Sequence, residues 1–276
     1  MTRQQATLTS LPPALITEPP ACTICNGSTA EKFSKPLGTI NVGYYSCSCC
    51  GHLTAGELDS NPNYDDGRYF AEIDTGWEER NRRICKFVSV ISRLPGVGVS
   101  NCARILDFGC GAGKLVQDLN TLGFDAYGFE PYPQEGISAP VFANLNEIRE
   151  MENIDLITCI EVLEHLRNPD KVLALFSELL GSSGYLMLST ELYNSRNHGE
   201  NWYYLNPAAG HVSIFNERSL RILLRRHSFE PILRINLAVW LFRKSLNLGR
   251  LLPERLYFAL SQCRVKLGIR LNYQAK

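Results

Sequence analysis

Between residues 103 and 190 short apolar runs alternate with helix-like segments, and this rhythm restricts the fold more than any other feature. The runs are ARILDF (103–108), DAYGFE (125–130), APVFA (139–143), DLITCI (155–160) and YLMLST (185–190). Between them, KLVQDLNTLG and PDKVLALFSELLG read as helices, the second with Pro169 near its first turn and Gly181 as its stop. Strand, helix and strand in succession imply a mostly parallel sheet wound on both faces, an α/β fold. Ligands of such sheets lie outside the carboxyl ends of the strands. The residues that follow each run are therefore the ones to read for chemistry.

Directly behind the first run stands DFGCGAGKL (107–115). A phosphate-binding GxxxxGK loop needs Ser or Thr after its lysine, and Lys114 is followed by Leu115. The dinucleotide fingerprint GxGxxG places a small third residue where this chain has Lys114, or Val116 if counted from Gly111. Both fail. What remains is a strand-end acid, Asp107, followed by Gly109, Gly111 and Gly113. Such glycines let a flat ligand lie against backbone. A carboxylate in that position suits a cationic ligand and repels a pyrophosphate, which points to S-adenosylmethionine with its sulfonium and ammonium. Glu130, at the end of the second run, can accept hydrogen bonds from both ribose hydroxyls.

Residues 104–190 resemble a class I S-adenosylmethionine-dependent methyltransferase. ILDFGCGAGKL is similar to that family's first motif and GFEP to its ribose-binding acid. DLITCIEVLEHLRNPDKVL resembles the fourth-strand segment of the ubiquinone-biosynthesis type of O-methyltransferase, and GHVSIFNERSLRILLRRHSFEP (210–231) the segment that follows the fifth strand in those relatives. The resemblance implies a doubly wound, mostly parallel, seven-stranded Rossmann-like sheet. It also implies cofactor contacts from Asp107, Gly109, Gly111, Gly113 and Glu130. Asn144 would lie near the adenine, where the family more often has Asp.

Upstream, CTIC (22–25) and CSCCGH (47–52) supply two CxxC pairs about 20 residues apart, each followed by turn-forming residues. This pattern points to a small zinc-ribbon-like module in which Cys22, Cys25, Cys47 and Cys50 hold a tetrahedral Zn²⁺. Four thiolates leave no open position, so the metal would be structural, and a module with little core needs its bond energy to fold. Cys49 and His52 are spare donors. The segment resembles the N-terminal zinc-binding part of certain sugar C-methyltransferases and of a ribosomal RNA guanine methyltransferase.

Methyl transfer requires alignment of the acceptor and, often, removal of its proton. His165, in EVLEHL, follows the fourth strand; Glu164 beside it could orient that ring or act itself. His211, in AAGHVSIF, lies past the fifth strand. These three are the candidate catalytic residues, weighed against the plain reading of histidines that merely hold a loop. Aromatic residues gather in YDDGRYF (64–70) and NWYYLNP (201–207), from which Tyr69 and Tyr203 are expected as lid or substrate contacts.

The chain of 276 residues carries zero net charge, but nine Lys/Arg and a single acid, Glu254, fall in residues 232–276. A basic C-terminal helix, a weak membrane-surface contact and an RNA footprint are the readings of that tail. No apolar run reaches membrane-spanning length, and MTRQQATLTSLPPALITEPP lacks the pattern of a secretory signal, which gives a cytoplasmic expectation. The expected organisation is a lead-in (1–20), a zinc-binding module (21–57), a helical linker or lid (58–100), a methyltransferase domain (101–244) and a basic tail (245–276). The expected activity is methylation of a small molecule, by resemblance a sugar nucleotide or glycan precursor, with a quinone-like phenol next. The rivals are an RNA methyltransferase and a non-catalytic cofactor-binding scaffold.

Overall fold

Each of the five apolar runs of the alternating region becomes a strand, and with two later strands from residues 229–244 they line up as one seven-stranded sheet. The computed structural model describes residues 19–57, 76–94, 99–133, 136–182, 184–234 and 238–245. Tyr69 and its aromatic stretch, most of the lead-in and nearly all of the basic tail lie outside the described residues. The cysteine-bearing segment forms β1 (Thr29–Leu37), β2 (Ile40–Cys47) and β3 (Leu53–Ala55). Helix α1 (Trp77–Ile91) follows, then β4 (Arg104–Phe108), α2 (Lys114–Thr121), β5 (Asp125–Phe129), β6 (Val141–Phe142) and α3 (Leu145–Arg149). The chain continues through β7 (Leu156–Ile160), α4 (Pro169–Leu179), β8 (Tyr185–Ser189) and β9 (Ser213–Ile214). It closes with α5 (Glu217–Arg226), β10 (Phe229–Arg234) and β11 (Val239–Lys244).

The large sheet has the order β10-β11-β8-β7-β4-β5-β6. Strands β4 to β8 in it run parallel, and β11 is antiparallel to both of its neighbours. Alternate side chains serve opposite faces. Ile105, Leu156 and Met187 pack with Ile84, Val88 and Leu119 of α1 and α2, while Leu106, Ile157 and Leu188 pack with Phe176 and Leu223 of α4 and α5. Each such fully buried side chain contributes about 1.5–3 kcal/mol. Because β4 is flanked by β5 on one side and β7 on the other, the winding reverses there. The crevice past β4 and β7 is where this architecture receives ligands.

The second sheet holds a feature that the chain's pattern does not disclose. Its order is β1-β2-β3-β9, so the cysteine module takes its fourth strand from residues 213–214. Val42, Tyr44, Leu53 and Ala55 of the module share one core with Tyr204, Leu205, Val212 and Ile214. The module is built onto the side of the crevice. Among the described residues no helix is long and apolar enough to cross a membrane.

Candidate active site

The glycine loop leaves β4 with positive φ at Gly109, Gly111 and Gly113 (76°, 51° and 69°). A side chain at Gly109 would strike Val162, its added Cβ lying 2.6 Å from Cγ2, and one at Gly113 would press on Ala139 at 3.0 Å. Close approach as well as backbone conformation therefore demands glycine at both positions. The loop is fastened by the Gly109 amide donating to the Phe129 carbonyl (2.8 Å) and by the Gly111 amide donating to Glu130 Oε2 (3.1 Å). Asp107 is buried and accepts from Thr158 Oγ1 at 2.7 Å. Burial, helped by the nearby Glu130 charge, pushes the Asp107 carboxyl up to about 7, and burial also raises Glu130. Two buried acids with raised pKa values flanking a glycine loop suit a ligand that brings positive charge. Asn144 has a local use: it caps α3, its Oδ1 accepting from the Asn146 amide (2.9 Å).

At the carboxyl end of β7 the chain turns through Glu161, a non-glycine residue at φ 54°. Such a conformation costs of order 1–3 kcal/mol and persists only where neighbours hold it. Here the neighbours are Ser189 Oγ, donating to Glu161 Oε1, and Tyr204 Oη, donating to Oε2 at 3.2 Å. The short 3-10 turn Leu163–His165 then places Glu164 and His165.

The three residues expected to be catalytic do meet. Glu164, His165 and His211 offer donor atoms within 4.8 Å of one another, and the two imidazole centroids are 4.9 Å apart. The His211 Nδ1 lies 2.8 Å from the Tyr204 carbonyl and the His165 Nδ1 lies 3.3 Å from the Gly210 carbonyl. A carbonyl only accepts, so each ring carries its hydrogen on Nδ1 and its lone pair on Nε2. Burial keeps both rings uncharged, lowering His211 and pushing His165 down to about 3. Glu164 does not orient His165: both its oxygens are buried with no hydrogen-bond partner, and the ring takes the Gly210 carbonyl instead. Burial, with the Glu161 charge, raises Glu164 well above the usual carboxylate range.

Tyr203, expected as a lid or substrate contact, and its neighbour Tyr204 differ in exposure. Tyr203 is 67% exposed and its hydroxyl donates to Glu191. Tyr204 is buried, packs 4.3 Å from the His211 ring and touches Glu161. Reading the sequence for histidines passed over Glu161, Ser189 and Tyr204. A signal for the first was present, since it is an acid just past a strand, as Glu130 is.

The four cysteines converge as their spacing implies. Cys22 and Cys50 Sγ are 3.6 Å apart, and Cys25 and Cys47 Sγ are 3.4 Å apart. Tetrahedral coordination at Zn–S distances near 2.3 Å would set sulfurs about 3.8 Å apart, close to this arrangement. The amides of Ile24, Cys49 and Cys50 approach sulfur at 3.4 Å, as expected where thiolate charge is to be stabilised. The Cys50 thiol beside it holds Cys22 low, at about 5. The donor set fits a structural zinc ion. Of the spare donors, Cys49 is exposed and His52 is buried against Phe215, with ring centroids 4.8 Å apart.

Comparison with known proteins agrees with this architecture. The family model described as a methyltransferase domain matches residues 77–233. A ubiquinone biosynthesis O-methyltransferase of Paraburkholderia phymatum is 33% identical over 101 residues, covering 32% of this chain and 44% of that protein. The enzyme of the same name from Xanthomonas oryzae pv. oryzae is 27% identical over 166 residues, 53% of this chain and 63% of its own. The chain thus spans about half the length of the curated relatives it matches. Among solved structures, a Burkholderia thailandensis 1,6-didemethyltoxoflavin-N1-methyltransferase superposes with a TM-score of 0.46 at 17% identity, over 77% of this chain and 99% of that one. Glycine loop, strand order and family match converge: the chain belongs to the methyltransferase-domain family, in the class I, S-adenosylmethionine-dependent group.

Proposed function

We propose that the protein methylates a hydroxyl of a small molecule, with Asp107, Gly109, Gly111, Gly113 and Glu130 holding S-adenosylmethionine and His211 removing the acceptor proton. The observation that carries this reading is the His211 ring, uncharged and fixed through Nδ1 so that Nε2 bears the lone pair beside the carboxyl ends of β7 and β8. Bound S-adenosylmethionine supplies an electrophilic methyl carbon. Everything else is positioning. Glu161, with Tyr204 and Ser189 around it, is placed to accept a hydrogen bond from the acceptor and orient it. His165 packs edge-on against His211 and helps exclude water. Asn144, if near the adenine, would contribute backbone rather than its capping side chain.

O-methylation is favoured because the curated relatives are named O-methyltransferases. A sugar nucleotide, the class suggested by the cysteine module, remains the second acceptor to try, and its diphosphate would have to avoid Glu161 and Glu191. Cys22, Cys25, Cys47 and Cys50 are read as holding structural zinc, with no part in the chemistry. The test is transfer of labelled methyl from S-adenosylmethionine to a panel of phenols, catechols and sugar nucleotides. Labelled ether product that disappears in His211→Asn supports the reading. Binding of the cofactor with no transfer to any acceptor would favour a scaffold, and transfer only to RNA would replace the acceptor class.

A further inference from the structure

The segment that carries His211 lies between the cysteine module and the histidine turn, and both grip it. From the module, the Ala55 amide donates to the Val212 carbonyl (2.8 Å), and β3 pairs with β9 through Leu53–Ile214 and Thr54–Ser213. From the turn, the Glu164 carbonyl accepts from the Val212 amide (2.8 Å) and the Leu166 carbonyl from Ser213 Oγ (2.6 Å). Arg167 reaches back across the seam to the Ala55 and Gly56 carbonyls at 3.2 and 2.9 Å. On β2, Tyr44 is wholly buried, and its hydroxyl donates to the carbonyl of His211 itself at 2.7 Å.

That last bond acts on the chain just past the short turn Pro207–Ala209. Gly210, just before His211, sits at φ 75°. The peptide after it is held by the His211 amide donating to the Asn206 carbonyl (3.2 Å) and by the Gly210 carbonyl facing His165 Nδ1 (3.3 Å), whereas the next peptide, His211–Val212, takes both of its partners, Tyr44 and Glu164, from outside the segment. Tyr44 fixes the His211 carbonyl, and the Tyr204 carbonyl fixes the ring. The glycine loop is fastened elsewhere, on Phe129 and Glu130.

We propose that Tyr44 is a positioning residue for methyl transfer: through it and the β3–β9 pairing, the cysteine module sets the orientation of the His211 imidazole. The proposal rests on the reading of His211 as the base. The module is therefore one wall of the acceptor site, and a disturbance in it reaches the base before it reaches the cofactor loop.

The test uses the full-length, zinc-loaded chain with Tyr44→Phe, which removes one hydroxyl and keeps the ring. Long-range nitrogen–proton spectra of histidine-labelled protein report which ring nitrogen of His211 carries the hydrogen, and His211→Asn identifies its signals. In the parent a single Nδ1–H form is expected; in Tyr44→Phe a mixture of forms is expected. Amide exchange across residues 206–216 should accelerate about fivefold to tenfold, the scale of one buried hydrogen bond, while zinc content and S-adenosylhomocysteine affinity stay within about twofold. A Tyr44→Phe protein whose His211 signals and 206–216 exchange match the parent overturns the proposal. Should that variant not fold, Arg167→Gln loosens the same seam from the exposed side, and unchanged exchange there overturns it equally. Methyl transfer by His211→Asn is scored separately: survival of that activity removes the base reading and leaves Tyr44 only as an anchor of the His211 ring, with no part in methyl transfer.

Discussion

The two halves of the crevice are built in opposite ways. The half proposed to hold the cofactor is local: Asp107, the three glycines and Glu130 fall within 24 residues, in and just past the adjacent parallel strands β4 and β5. The proposed acceptor half is gathered from Tyr44, Glu161, Glu164, His165, Ser189, Tyr204 and His211, joined by hydrogen bonds such as Tyr44 to His211 across 167 positions. The first half depends on backbone conformation and close approach, the second on side chains held by a separate sheet. A fold can keep the first unchanged while altering the second, which separates the methyl donor from the choice of acceptor.

The comparison breaks most visibly if the metal is taken away. Cys22→Ser with Cys47→Ser should abolish zinc binding, and metal analysis together with hydrogen exchange should show β1–β3 and residues 206–216 losing protection together. Structural zinc in small modules is worth about 10 kcal/mol or more, so the module should not hold without it. S-adenosylhomocysteine affinity by calorimetry should change by no more than about threefold, because the glycine loop is fastened on Phe129 and Glu130. The reverse experiment is Gly113→Ala. A side chain at φ 69° costs about 1–2 kcal/mol, and this one also meets Ala139. Cofactor affinity should fall about tenfold or more while zinc content and exchange in 206–216 stay as in the parent.

A smaller effect sharpens the electrostatics of the cofactor half. Asp107 titrates near 7 in the folded chain against an ordinary value of 3.8. Between those values the folded protein keeps a proton that the unfolded chain has lost, so this group's contribution to stability falls as pH rises through that window. A cationic ligand favours the ionised form. S-adenosylmethionine affinity should therefore climb with pH up to about 7 and then level off, by at most about tenfold per pH unit. Calorimetry in two buffers of different ionisation enthalpy, at a pH below 7, should show proton release on binding. Proton uptake there would mean that Asp107 does not meet the ligand's charge.

The same contrast explains what could be read from the residues alone. The strands of the parallel sheet and the glycine loop were legible because each follows from short-range pattern: apolar runs of five or six residues, glycine at fixed offsets, an acid at a strand's end. The cysteine tetrad was legible for the same reason, and the structure gathers Cys22, Cys25, Cys47 and Cys50 while leaving Cys49 exposed. The acceptor half was only half visible. His165 and His211 stood out by residue type, but their meeting depends on β9, a two-residue strand too short to have a pattern. Tyr203 was the tyrosine expected as a lid or substrate contact, and the turn that carries it exposes Tyr203 while burying its neighbour Tyr204, a distinction that no periodic pattern announces. Glu164 was read as a partner for His165 from adjacency, whereas the 3-10 turn buries it without a hydrogen bond. Nothing in the local sequence of Tyr44 could have pointed to His211.

The central claim is that His211 serves the acceptor and not the cofactor, and His211→Asn tests it most directly. Asn keeps polarity and approximate size but has no lone-pair nitrogen to take a proton. With an acceptor in hand, kcat should fall about 10²–10⁴-fold, the usual contribution of a general base. S-adenosylhomocysteine affinity and zinc content should match the parent. A variant that keeps its kcat, or that loses cofactor binding along with it, would contradict the division of the crevice into two halves.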